Sequence, residues 1–241
     1  MEQYFYTDTI YLQDDKLYKN DKIIKNHNWH HILSEYGWNK LNIRWIKKLN
    51  RLKNGTAPKN SLFGTLDCGG DGDCFFHCLS YALKSEELFN IDYDMDVKKI
   101  RKLISDNIDN EKFNDIISIY KVLYDSNDFY EEWDPYKIRI NEFKEIINGE
   151  GDNYWCDQIL LNNIKEILNI NLIILNNNDI LNEYYYYPIS YDYNKNNKTI
   201  ILLYENEIHF KLIGYFKDNN MKMIFNNKNI PNEIINLINI R

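Results

Sequence analysis

Leu66–Leu83, LDCGGDGDCFFHCLSYAL, holds three of the chain's four cysteines and three of its nine glycines. A run of small residues leads here into an apolar segment in which Phe75, Phe76, Leu79, Ala82 and Leu83 recur at helical spacing. The glycines therefore precede a helix packed inside the protein, and Cys74 stands in its first turn. A phosphate loop needs Lys then Ser or Thr after its glycines, and none follows GGDGD. A calcium loop opening at Asp67 fails because Gly69 and Cys78 stand where oxygen ligands are required. Cys68, Cys74, His77 and Cys78 lack the paired spacing of structural zinc. No metal or cofactor is expected.

A thiol at a helix N-terminus is the remaining chemistry. The positive end of the helix dipole favours the thiolate, and Gly69, Gly70 and Gly72 allow successive amides to converge on an oxyanion. Cys78, one turn later beside Leu79, reads as a small buried hydrophobe. A nucleophilic cysteine calls for a histidine base. His27, His30 and His31 lie in a basic segment, and His77 is too near Cys74 on the same helix to approach its sulfur well. His209, at the start of the strand-like IHFKLIGYF, is the candidate.

The other composition data narrow the class. No apolar run reaches the roughly 18 to 20 residues of a membrane span, and MEQYFYTDTI lacks a signal-peptide pattern, so a cytoplasmic chain with reduced thiols is expected. Residues 61–157 carry 22 acidic against 10 basic side chains, which argues against nucleic acid as the main partner. The excess of Asn, Ile, Lys and Tyr, with codons rich in A and T, points to the genome; LNNND and YNKNNK read as loops.

Along the chain, Leu41, Trp45, Leu49 and Leu52 form the apolar stripe of a basic helix, and Gly55 and Pro58 break it. Residues 96–147 read as three helical segments, and YWCDQILLNNIKEIL as a fourth helix. NLIIL, YYYYPI, KTIILLY and IHFKLIGYF read as strands, the last two forming a hairpin. The expected division is a helical N-terminal extension (1–60), a catalytic domain (61–216) and a tail with a short helix (217–241).

GGDGDCFFHCLSYAL resembles the cysteine motif of the ovarian tumour (OTU) family of deubiquitinating cysteine proteases. YWCDQILLNNIKEILNINLIIL is similar to that family's second block, and IHFKLIGYF to its closing histidine block; the three span roughly 62–216 in the same order. The resemblance implies a papain-like α/β fold with a small central sheet flanked by helices. It also implies hydrolysis of isopeptide bonds after the C-terminal glycine of ubiquitin or a ubiquitin-like protein, by a monomer that needs neither nucleic acid nor membrane. A viral source, or another A/T-rich genome, fits the composition. On this resemblance Cys74 is the nucleophile and His209 the base, and Asp71 matches the aspartate whose loop frames the oxyanion hole; its position three residues before Cys74 also makes it the favoured third member. Trp155, Gly72, Asp73 and Phe210 would line the substrate channel. The position two residues after His209, often an orienting Asp or Asn in the family, is Lys211. Asn206 is therefore an alternative to Asp71, and an acid ahead of the cysteine, such as Asp67, is another. Asp73 would oppose a thiolate unless it turns away. An inactive ubiquitin-binding or adaptor module is the competing reading.

Overall fold

The structure, a computed structural model, describes residues 3–5, 7–51, 61–87, 96–178, 185–190, 192–206 and 208–238. The expected break at Gly55 and Pro58, and Leu52, lie outside them. The chain begins with four short strands, β1 (Gln3–Phe5), β2 (Ile10–Gln13), β3 (Lys16–Lys19) and β4 (Lys22–Ile23), paired in that order as an antiparallel sheet. Helix α1 (Trp29–Leu33), strand β5 (Trp38–Lys40), helix α2 (Ile43–Arg51) and strand β6 (Phe63–Leu66) follow. Next come α3 (Cys74–Glu87), α4 (Val97–Asp106), α5 (Asn110–Asp125), α6 (Ile140–Asn148) and α7 (Gln158–Leu168). The chain then runs through β7 (Ile170–Asn178), β8 (Tyr185–Ser190), β9 (Lys198–Glu205), β10 (His209–Lys217), β11 (Asn220–Lys222), β12 (Ile224–Phe225) and α8 (Asn232–Leu237).

The main sheet has the order β5-β6-β10-β9-β7-β8, with β11 added beside β10 and β12 beside β9. β7 and β9 run parallel, while the remaining pairs are antiparallel. Strand alternation gives the sheet two apolar faces. Leu202, Phe210, Leu212 and Phe216 face the core built by α3, α4, α6 and α7. Ile201, Leu203 and Ile213 face Trp45 and Leu49 of α2, Ile234 of α8 and Leu41 just ahead of α2. Within α3, Phe75, Phe76, Cys78, Leu79 and Ala82 are buried, and a large apolar side chain so placed contributes about 1.5–3 kcal/mol. Burial on both faces is what the long apolar runs of β7 and β9 require.

Three differences from the sequence reading have physical causes. The N-terminal segment is expected to be helical, yet its first 23 residues carry four strands. Asp14–Asp15 and Asn20–Asp21 both sit at positive φ between paired strands, the two-residue turn that matches strand twist, and Asp218–Asn219 repeats it between β10 and β11. Residues 217–225 are likewise sheet rather than tail, followed by the expected short helix. The Asn tract after Leu175 extends β7, with Asn176 and Asn177 buried beside β9 instead of forming a loop.

Candidate active site

Cys74 begins α3 and is almost fully buried, and its Sγ accepts a hydrogen bond from the Phe210 backbone N–H at 3.5 Å. The nucleophile candidate thus lies against the first residues of β10, where His209 starts the strand. Burial pushes the Cys74 thiol above its ordinary value, and the Asp67 carboxylate adds to this; the N–H groups of Phe210, Phe75 and Cys74 itself pull the other way. The expected dipole-lowered thiol is not what results, because desolvation outweighs the helix end. Burial drives Cys78 and Cys156 well above the ordinary range, so of the three buried cysteines Cys74 ionises at least cost.

His209 Nε2 lies 3.1 Å from Oδ1 of Asp67, and the same oxygen accepts from the Gly69 N–H at 3.2 Å. A carboxylate oxygen accepts, so Nε2 is the donor in this pair, and Nδ1 is the ring nitrogen left for another partner. The sequence reading favours Asp71 as the third member, with Asn206 second; the structure places Asp67 on the imidazole. Sheet register supplies the reason. Leu66 of β6 pairs with Leu212 of β10, which sets Asp67 alongside residue 211 and next to 209 on the same edge of the site. Asp71 instead sits in the turn before α3 at φ 54°. Asn206 occupies the β9–β10 turn, its N–H donating to Asn177 O at 2.8 Å. Lys211, in the expected acid position, pairs with Glu205 at 2.5 Å.

The candidate channel residues divide. Gly72 is at φ +82°, and a Cβ there would come 2.3 Å from Gly151 O, so the glycine turn packs backbone to backbone on the 149–157 loop. Trp155 on that loop is 49% exposed, with its indole N–H donating to Asp152 Oδ1 at 3.2 Å. Two side chains expected to face substrate do not. Phe210 points inward by strand alternation, between Phe75 and Tyr204, so only its backbone N–H faces Cys74. Asp73 is buried, Oδ1 accepting from Arg101 Nε at 2.7 Å and Oδ2 from the Gly151 N–H at 2.7 Å. Its charge is thereby turned away from the thiol and neutralised.

Sequence reading passed over Arg101 and Asp157. Arg101 has a visible signal, a lone cation on the apolar face of α4 with Val97, Ile100 and Ile104. Such a residue is buried only when paired. Asp157 caps α7 through the Ile159 and Leu160 N–H groups and accepts from Tyr120 and Tyr154 hydroxyls, which anchors the end of the Trp155 loop. Burial raises its carboxyl despite these donors. Among the described residues, no group of three or more His, Cys, Asp or Glu side chains is arranged to hold a metal ion, and no helix is long and apolar enough to cross a membrane.

No protein-family model matches the sequence, and no curated protein matches it. Solved structures do. An ovarian tumour (OTU) domain in complex with ubiquitin is 18% identical, with 73% of this chain and 81% of that chain covered at a TM-score of 0.46. The viral OTU domain protease of Farallon virus is 17% identical over 63% of this chain and 83% of its own, TM-score 0.39. The OTUD1 OTU domain is 12% identical over 78% and 92%, TM-score 0.38. These three structural neighbours are OTU domains, a viral OTU protease among them.

Proposed function

We propose that this protein is a thiol-dependent isopeptidase that cleaves after the C-terminal glycine of ubiquitin or a ubiquitin-like protein. The observation that carries the reading is the connected set Cys74–Phe210–His209–Asp67. The nucleophile is held at a helix N-terminus by the amide next to the base, and the base is held by a carboxylate. The substrate class rests on the three sequence blocks that resemble the OTU family, and a glycine-walled approach with an exposed Trp155 suits a slender, glycine-ended peptide.

In this reading the thiol of Cys74 rests protonated, because burial disfavours the thiolate. As Sγ bonds to the carbonyl carbon, Nδ1 of His209 takes the thiol proton, and the carbonyl electron pair moves onto oxygen, where the backbone N–H groups at the start of α3 stabilise it. Asp67 keeps Nε2–H in place and stabilises the imidazolium. Collapse breaks the C–N bond, and His209 returns the proton to the departing amine. Water then attacks the thioester with His209 again accepting a proton, which releases the carboxylate and restores Cys74. The test is reaction with ubiquitin carrying a C-terminal electrophile: a covalent adduct mapped to Cys74 supports the reading, and no adduct with folded protein overturns it.

A further inference from the structure

Arg101 is fully buried, and each of its three guanidinium nitrogens donates a hydrogen bond. Nε donates to Asp73 Oδ1 at 2.7 Å, Nη1 to Ile147 O at 3.0 Å and Nη2 to Tyr154 O at 3.0 Å, while the plane lies 4.0 Å over the Phe76 ring. Ile147 is in the last turn of α6 and Tyr154 directly precedes Trp155, so the cation grips both ends of the loop between them. The middle of that loop is held by the other Asp73 oxygen, which accepts from the Gly151 N–H at 2.7 Å. Asp73 immediately precedes Cys74, and Gly72 before it touches Gly151 so closely that no side chain fits.

We propose that Arg101 is a positioning residue: acting through Asp73, it fixes the 149–157 loop and Trp155 against the glycine turn that leads into Cys74. This rests on the isopeptidase reading, since the loop then forms one wall of the substrate channel. Arg101 does not touch the reacting atoms. A planar fork is needed because three acceptors in different directions must be met at once, which a single lysine ammonium on a flexible stem cannot do. A role limited to neutralising Asp73 would be filled by lysine.

The test compares the wild-type full chain with Arg101→Lys, Arg101→Gln and Asp73→Asn. Three quantities are read: hydrogen exchange at the Gly151 amide, iodoacetamide alkylation of Cys74 at a pH where the thiol is ionised, and kcat and KM on a ubiquitin C-terminal amide. Gly151 exchange should accelerate at least about tenfold in both Arg101 variants. Their kcat/KM should fall about 10²-fold, with Cys74 alkylation within about threefold of wild type. Unchanged Gly151 exchange, full kcat/KM in Arg101→Lys, or alkylation falling in parallel with turnover overturns the inference. Should neither Arg101 variant fold, Asp73→Asn decides: its amide must turn a donor toward Arg101 or Gly151, so faster Gly151 exchange supports the clamp and wild-type exchange refutes it. Absence of cleavage by the wild type defeats the isopeptidase reading alone, and the exchange data then judge the clamp independently.

Discussion

Oδ1 of Asp67 bridges the Gly69 N–H and His209 Nε2, 142 residues later in the chain, so one carboxylate oxygen ties the glycine loop to the strand that opens with His209. Lys211, two residues beyond the histidine, is occupied by Glu205 on the opposite side. The acceptor therefore comes from the residue that follows the adjacent strand β6 rather than from the strand of the histidine itself.

Asp67→Asn should lower kcat on a ubiquitin C-terminal amide by about 10²-fold or more, because the amide can present an N–H to the ring and select the wrong tautomer. KM should move little. Asp71→Asn should stay within a few-fold of wild type; the reverse ordering of the two variants returns the orienting role to Asp71.

Alkylation of Cys74 against pH provides a second check. A thiol raised by burial is neutral at pH 7, and its reactivity should climb through an inflection above the ordinary cysteine value of about 8.5. Removing the negative charge in Asp67→Asn stabilises the thiolate, so that inflection should move down while turnover falls. An inflection well below the ordinary value would mean a preformed thiolate and discard the proton-transfer sequence given above.

Cys74→Ala should abolish cleavage with the fold intact. Cys78→Ala, which trims a fully buried side chain bonded to Phe210 O, should retain most activity and lose about 1 kcal/mol or more of stability, read as a lower Tm. Chelators should leave turnover unchanged. Equal inactivation by both cysteine variants, with unchanged melting, contradicts the assignment of Cys74.

The two neighbouring glycines make a matched pair. Gly72→Ala forces a Cβ into Gly151 O at φ +82°, and should cost activity at least about tenfold, since active-site misplacement is magnified in rate. Gly70→Ala meets nothing within 4 Å and should behave as wild type. Similar kinetics for both variants would show that the loop contact is dispensable.

The helices between residues 96 and 168 follow their hydrophobic periods, and α3, α7, β9 and β10 lie where apolar spacing puts them. Cys74 and His209 stand out in the sequence because each has a local signature, a glycine loop before a helix and a histidine opening a strand, and the structure sets both at the start of those elements. Asp67 could not be separated from Asp71 and Asn206, since the choice depends on how β6 registers against β10, a non-local fact. The N-terminal strands escaped detection because Asp14–Asp15 and Asn20–Asp21 turn the chain without glycine, leaving strands of two to four residues too short to show alternation. The inward direction of the Phe210 and Asp73 side chains is not legible for one reason: adjacency to Cys74 or His209 in sequence does not fix which way a side chain points.

The central placement of β10 has a consequence for synthesis. β6 emerges early and gains β5 on one side, but its other edge pairs with β10, whose first residue is made 143 residues after Leu66. Until then a row of backbone groups on β6 stays open, and contacts of such long sequence separation are slow to form. Cys74, Asp67 and His209 consequently come together in one late event, and a nascent chain that has exposed Cys74 to the cell does not yet carry His209.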